Sequence, residues 1–234
     1  METTQLTADI WMFRFTAGQA YALRLPEGWA LIDTGLPGHA PEILAALAEL
    51  GAAPADLRHI FLTHYHFDHT GSAAELAAAT GAEILAGAAD APVIRGEAPE
   101  VPIAFAGDWE RELFATVQAQ LTEVPAPTPC RVDRELTDGD LLDWGLPALA
   151  VHVPGHTPGS MALHLPDSGV LFTGDTIANH PQVMLGVFNT DRDQAVASFH
   201  KQARLDVSTA LFGHGEPLVG GAGEKLRAAA AELR

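Results

Sequence analysis

The sequence predicts an α/β protein, on three observations. Strand-like and helix-like segments alternate in both halves of the chain. Short apolar runs stop at a glycine beside one side chain able to bind a metal, as in Gly155-His156, Gly174-Asp175 and Gly213-His214. Proteins of this class carry their sites at strand ends in this way. The 234 residues, 47% hydrophobic, are enough to bury a sizeable core, so residues 1–234 are read as a single domain.

The elements follow in order. Ile10 to Phe15, Ala20 to Leu25 and Trp29 to Ile32 are apolar runs separated by Gly and Pro turns, and are expected as strands. Pro41 to Leu50 is expected as a helix stopped by Gly51, and Leu57 to Leu62 as a strand. Ser72 to Thr80 is expected as a helix with Ser72 as N-cap and Gly81 as its stop. Further strands are expected at Leu149 to Val153, Met161 to Leu165, Val170 to Phe172 and Thr209 to Phe212. Gln194 to Leu205 and Glu224 to Leu233 complete the helices.

The stretch 87–129 breaks this rhythm. It contains Pro92, Pro99, Pro102, Pro125, Pro127 and Pro129, and reads as a Pro-rich insertion. Within it Trp109, Leu113, Phe114, Val117 and Leu121 recur at helical spacing from about Gly107 to Leu121. These side chains either wall a substrate pocket or pack onto the core. A second apolar stretch, 177–189, with Val183, Met184, Leu185, Val187 and Phe188, is a further candidate wall.

The chemistry concentrates in Thr63-His64-Tyr65-His66-Phe67-Asp68-His69, directly after the apolar run Ile60-Phe61-Leu62. Imidazole and carboxylate are ligands suited to zinc, iron or manganese. An extended chain puts His64 and His66 on one face. A turn after Phe67 swings Asp68 and His69 to the same side. Two ligand pairs side by side suit two metals, whose spheres His156, Asp175 and His214 would complete. A polar, solvated turn is the bland alternative. Cys130 is the only cysteine and has no catalytic neighbour in sequence, and no Gly-x-Ser-x-Gly elbow occurs. It is read as a small buried hydrophobe.

The ordered pattern His-x-His-x-Asp-His, Gly-His, Gly-Asp, Gly-His, with the early turn Asp33-Thr34-Gly35, resembles the metallo-β-lactamase superfamily of metallohydrolases from Asp33 to His214. The resemblance implies a four-layer αβ/βα sandwich: two facing mixed sheets, helices outside, metals at one edge. It implies one metal on His64, His66 and His156, a second on Asp68, His69 and His214, and Asp175 as the bridge. Asp33 would orient ligands through hydrogen bonds. The implied cofactor is two Zn²⁺ per chain, with Fe or Mn as substitutes. The implied activity is hydrolysis of a small thioester, ester or lactone by a metal-bridging hydroxide, with Asp68 and Asp175 accepting a proton or steering the nucleophile. The alternative is an iron-dependent oxidoreductase similar to a persulfide dioxygenase, with a mononuclear centre on His64, His156 and Asp175.

Departures from the family narrow the substrate. True β-lactamases lack the bridging Asp that Asp175 represents. Glyoxalase II-type thioesterases carry a basic helical region after the last ligand, whereas only twenty residues follow His214, with Lys225, Arg227 and Arg234 as cations. Nucleases carry a large inserted domain. Lactonases share the full ligand set.

A net charge of −17 argues against nucleic acid and anionic membranes as partners. The expected partner is a small-molecule substrate, with the oligomeric state open and a homodimer among the options. Met1 to Ile10 shows no secretion signal and no run approaches a membrane span, so a cytoplasmic location is expected. His39, His59, His164 and His200 are read as structural, His152 as core or surface, and His180 as an exposed loop residue. Tyr65 lies between two ligands and faces either the pocket or the core, and Thr157 either hydrogen-bonds near the site or serves the turn.

Overall fold

The computed structural model describes residues 1–233; Arg234, one of the cations after His214, lies outside them. The first half of the chain builds a seven-stranded sheet. Its strands are β1 (Glu2–Gln5), β2 (Ile10–Arg14), β3 (Gln19–Leu25), β4 (Gly28–Ile32), β5 (Leu57–Leu62), β6 (Glu83–Gly87) and β7 (Arg134–Leu136), in spatial order β1 to β7. β1 to β4 are antiparallel neighbours, and β4 to β7 run parallel. The crossovers carry α1 (Ala40–Glu49), α2 (Phe67–Thr70), α3 (Ala73–Thr80), α4 (Ala91–Ile94) and α5 (Asp108–Gln120).

The second half builds a six-stranded sheet and a small hairpin. The strands are β8 (Leu141–Asp143), β9 (Pro147–His152), β10 (Met161–Leu165), β11 (Val170–Phe172), the hairpin β12 (Ile177–Asn179) and β13 (Val183–Leu185), then β14 (Thr209–Leu211) and β15 (Leu218–Val219). The larger sheet runs β15-β14-β11-β10-β9-β8. Its outer helices are α6 (Arg192–Ala203) and α7 (Ala222–Glu232).

Side-chain alternation produces the layers. In β5, Ile60 and Leu62 join Ile43, Leu47 and Leu76 of the outer helices, while Phe61 points the other way, toward Met161, Leu163 and Phe172 of the facing sheet. In β10, Met161, Leu163 and Leu165 enter that inter-sheet core, and Ala162 faces Phe199 of α6 and Leu226 of α7. Both central sheets are therefore apolar on both faces, which is why their strands read as continuous rather than alternating apolar runs. The four layers are α1 and α3, the first sheet, the second sheet, then α6 and α7, an αβ/βα sandwich. No helix among the described residues is long and apolar enough to cross a membrane.

Most expected elements fall within two residues of those observed. Three details differ. Ser72 precedes α3 but does not cap it: its Oγ donates to the Leu36 carbonyl at 2.7 Å and accepts from the His39 amide at 3.0 Å, tying the Asp33 loop to the metal-cluster segment. The apolar stretch after Asp175 is partly core, because Ile177 and Leu185 pack in the outer cluster with Phe199. The helix anticipated within 87–129 is α5, but Trp109, Leu113, Phe114, Val117 and Leu121 are not buried in any core cluster, so ordinary core packing does not hold it.

Candidate metal centre

The candidate ligands lie in the segments that follow apolar strands. β5 ends at fully buried Leu62, and the chain turns through His64, Tyr65 and His66 into α2, which carries Asp68 and His69. His156 lies in the β9–β10 loop, Asp175 in the turn that follows β11, and His214 in the turn that follows β14. Gly174 has φ +56°, a left-handed turn that glycine adopts without a Cβ penalty. Gly213 has a different reason: a Cβ there would collide with Asp175 Oδ1. The carboxylate can occupy its place only because that side chain is absent.

The seven side chains converge. His64 Nε2 and His156 Nε2 each lie 3.0 Å from His66 Nδ1. Asp175 Oδ2 is 3.1 Å from His214 Nε2, 3.7 Å from His156 Nε2 and 4.0 Å from His64 Nε2, and its Oδ1 is 3.4 Å from His69 Nε2. Asp68 Oδ2 is 3.2 Å from His214 and 3.6 Å from His69. Three groups fall within ion-binding reach: His64, His66 and His156; His64, His69 and Asp175; Asp68, His69 and His214. His69 Nε2, His156 Nδ1 and Asp175 Oδ1 are buried with no hydrogen-bond partner. Three imidazole nitrogens facing one point, beside orphaned carboxylate and imidazole atoms, make a donor set that fits divalent cations.

The electrostatics agree with that fit. Burial, reinforced by the neighbouring rings, holds the His64 imidazole well below its ordinary value, and burial lowers His156 as well. His66 falls to about 3 for the same reason. All three are neutral at pH 7, the state in which imidazole binds metal. Burial opposes charge at Asp68 and Asp175 too, but His69 and His214 outweigh it and hold both carboxyls well below the usual range. The same carboxylates raise His69 and His214 against the effect of burial. Two protons thus offset the acidic side of the cluster, the charge that a divalent ion would supply.

Asp33 supports this half of the cluster. It is buried with a left-handed φ of +61°. Its Oδ1 accepts from the Thr63 amide, and its Oδ2 accepts from Thr63 Oγ1 and lies against His69 Nδ1, all at 2.8 Å. A proton on His69 Nδ1 leaves Nε2 facing Asp68 and Asp175.

Asp90 has no counterpart in the sequence reading. It precedes Pro92 at the start of α4, a position suggesting only a helix cap, yet its side chain makes no cap bond. Instead its fully buried carboxylate accepts from Thr157 Oγ1 at 2.6 Å, the Gly159 amide at 2.7 Å and the Tyr65 amide at 3.2 Å. It joins the loop of His64 and His66 to the loop of His156. Burial pushes its carboxyl up to about 6. Thr157, left open between site and turn, belongs to this junction.

The other histidines stand apart. His152 Nε2 lies 2.9 Å from the Pro158 carbonyl, His59 stacks on Trp144, His39 packs against Phe15, and His164 Nε2 is 3.2 Å from the Asp206 carbonyl. His180 is exposed and His200 half-buried. Cys130 is buried and its thiol is raised to about 11 by desolvation, so it is no nucleophile.

Known proteins resemble the chain in sequence and in fold. The family profile described as the metallo-beta-lactamase superfamily matches residues 14–214. The chain is 33% identical over 187 residues to a hydroxyacylglutathione hydrolase of Rhodospirillum rubrum, covering 79% of this chain and 56% of that protein. It is 26% identical to a probable metallo-hydrolase of Bacillus subtilis, covering 83% and 78%. It therefore spans little more than half the length of the Rhodospirillum relative. Its fold superposes on a subclass B3 metallo-beta-lactamase of Bradyrhizobium japonicum with a TM-score of 0.73 at 24% identity, covering 100% of this chain and 90% of that one. A metallo-beta-lactamase family protein of Thermus thermophilus gives a TM-score of 0.68, also at 24% identity, covering 97% and 79%.

Proposed function

The chain belongs to the metallo-beta-lactamase superfamily, and from that premise we propose that it is a dinuclear metal-dependent hydrolase of a small thioester, ester or lactone. The observation that carries the proposal is the position of Asp175, whose carboxylate lies among His64, His69, His156 and His214. A carboxylate between two imidazole groups suits a bridge between two cations. His64, His66 and His156 would hold one ion, and Asp68, His69 and His214 the other. Zinc is the proposed metal, one of those that a donor set of imidazole and carboxylate suits.

Bound ions would supply Lewis acidity toward an acyl carbonyl and bring solvent water close to ionisation at neutral pH. The chain's own residues do the rest. His64, His66 and His156 stay neutral through burial and so remain ligands rather than acids. Asp33 holds the ring of His69. Asp68 and Asp175, held ionised beside His214, are the carboxylates that would steer attacking water or accept its proton. The tight convergence leaves no histidine free to act as a nucleophile. Similarity to hydroxyacylglutathione hydrolases supports a thioester among the substrates.

The test is elemental analysis of protein purified without added metal, paired with a panel of thioesters, lactones, esters and phosphodiesters. About two zinc per chain with turnover of an acyl substrate is the expected result. One iron per chain with oxygen uptake would replace the proposal with oxidoreductase chemistry. Zinc with turnover of phosphodiesters alone would refute the substrate class.

A further inference from the structure

Helix α5 has an inverted burial pattern. A surface helix is ordinarily held by an apolar stripe against the core. Of the residues of α5 only Glu110 is buried, at 3% exposure, while Trp109 and Leu113 are 55% and 39% exposed. The one buried side chain of the helix is therefore a carboxylate. Glu110 Oε2 accepts from the Ala106 amide just before the helix at 2.6 Å, the reach-back of a helix N-terminus. Oε1 leaves the helix altogether and accepts from the Phe188 amide, also at 2.6 Å.

Phe188 is the residue that most needs such a partner. It has φ +62°, a left-handed backbone that a bulky side chain rarely adopts and that costs about 1–3 kcal/mol. Its ring packs edge-on against Phe114 of α5 at 5.2 Å, and Phe114 packs against Phe105 at 5.5 Å. The segments that carry this aromatic trio are hydrogen-bonded to both ligand loops. Asn189 accepts from the Ala104 amide at 2.9 Å, and the Thr190 amide donates to the His156 carbonyl at 3.1 Å. At the other end the Val101 amide donates to Tyr65 Oη at 3.2 Å, and Tyr65 lies between His64 and His66. Residues 101–106 thus run from one ligand loop to the other, and Glu110 joins them to the strained turn at Phe188.

We infer that Glu110 is a positioning residue that sets the acyl specificity of the site. It locks Phe188 in its left-handed conformation against α5, so that Phe105, Phe114 and Phe188 stand as one fixed apolar wall beside His156. The ligand class this wall takes is the apolar acyl chain of an ester, thioester or lactone. The inference rests on the hydrolase reading for its chemistry but on the aromatic wall for its specificity, and the two can fail separately.

The test compares p-nitrophenyl acetate with p-nitrophenyl octanoate for the wild type, Glu110→Gln and Phe188→Gly. In Glu110→Gln the amide nitrogen faces a backbone N–H and one acceptor is lost. The loss of a hydrogen bond to a charged group predicts a rise of about tenfold in KM for the octanoate, with kcat, bound metal and KM for the acetate nearly unchanged. Phe188→Gly removes the ring while relieving the backbone strain, which offsets part of the lost packing, and with folding checked by circular dichroism it should lose the preference for the longer acyl chain. In the double variant the second change should add little to KM, because both act on one contact. Equal losses on both esters, or an unchanged chain-length preference in Phe188→Gly, would overturn the inference. If the wild type hydrolyses neither ester, the hydrolase reading fails on those substrates. The wall is then tested alone by calorimetric binding of 2-decanone, a ligand that cannot be hydrolysed. Wild-type binding that weakens about tenfold in Glu110→Gln supports it, and no binding, or equal binding by both, rejects it.

Discussion

Asp175 and Asp90 are both aspartates in loops that follow strands, and they do opposite things. Asp175 exposes its oxygens to four histidines, whereas Asp90 turns both of its oxygens toward hydrogen-bond donors of two loops. Asp175→Ala should remove the group shared between the two ligand sets. Metal content measured on the purified variant should fall by about one ion per chain, and the rate by two orders of magnitude or more. Retention of both metals with near wild-type turnover would contradict a bridging role. Asp90 makes a different prediction, one about pH. Its folded carboxyl titrates at about 6, above the value of about 3.9 in an unfolded chain. Between those values the folded protein binds more protons than the unfolded one, so the contribution of Asp90 to stability falls as pH rises through that window. Asp90→Asn does not titrate. In urea unfolding of metal-free protein, the wild type should lose stability relative to the variant by about 2–3 kcal/mol between about pH 4 and pH 7. A difference that does not change with pH would show that the carboxyl is unperturbed.

Among the elements, the strand ends decide where chemistry can sit. The ends of β5, β11 and β14 are buried on both faces, so their side chains are committed to the two cores, and residues become free to converge only in the turns beyond the last ladder position. His64, Asp175 and His214 are those residues. Gly213 shows how little room is left: an added methyl group would occupy the position of Asp175 Oδ1 and crowd His69. Gly213→Ala should leave β14 intact yet lower both metal affinity and turnover by about tenfold or more, as expected when a residue that orients ligands is displaced. Normal metal titration by the folded variant would mean that Asp175 has another place to go. The ligand motifs and most of these strands were legible in the sequence, because apolar runs with glycine stops carry a local signal. β1, β6, β7, β8, β12, β13 and β15 were not read from it. β1 is wholly exposed, β6 is a short buried strand directly before the Pro-rich stretch, and the other five are two- or three-residue pairings set by tertiary neighbours.

For the whole molecule, the cluster couples fold and ligand. The first half of the chain contributes His64, His66, Asp68 and His69, and the second contributes His156, Asp175 and His214. Ions that bind only when the two sheets face each other stabilise that docking by mass action. At about a hundred times Kd each ion adds about 2.7 kcal/mol, and for a chain of this size about 2–4 °C in Tm follows per kcal/mol. Chelation should therefore lower Tm by several degrees, and added zinc should restore it, as measured by differential scanning calorimetry. A Tm indifferent to chelator would separate the histidine cluster from metal binding.

The amino-acid order alone determined the α/β class, the positions of most of the longer strands and helices, and the His64–His69 cluster with the glycine-flanked His156, Asp175 and His214. These are local properties: residue type, periodicity and the glycine that ends a run. The division of these ligands between two ions and the part of Asp33 came from the family resemblance. Only the tertiary structure decided the work of Asp90 and Glu110. Both are acidic residues near the start of a helix, and an N-terminal turn accounts for such a residue without further explanation. Their partners, Gly159 and Phe188, lie 69 and 78 residues away, a separation across which no sequence pattern identifies a hydrogen bond. Burial raises the free-energy cost of an unpaired carboxylate, and the packing of distant loops determines which amides satisfy it.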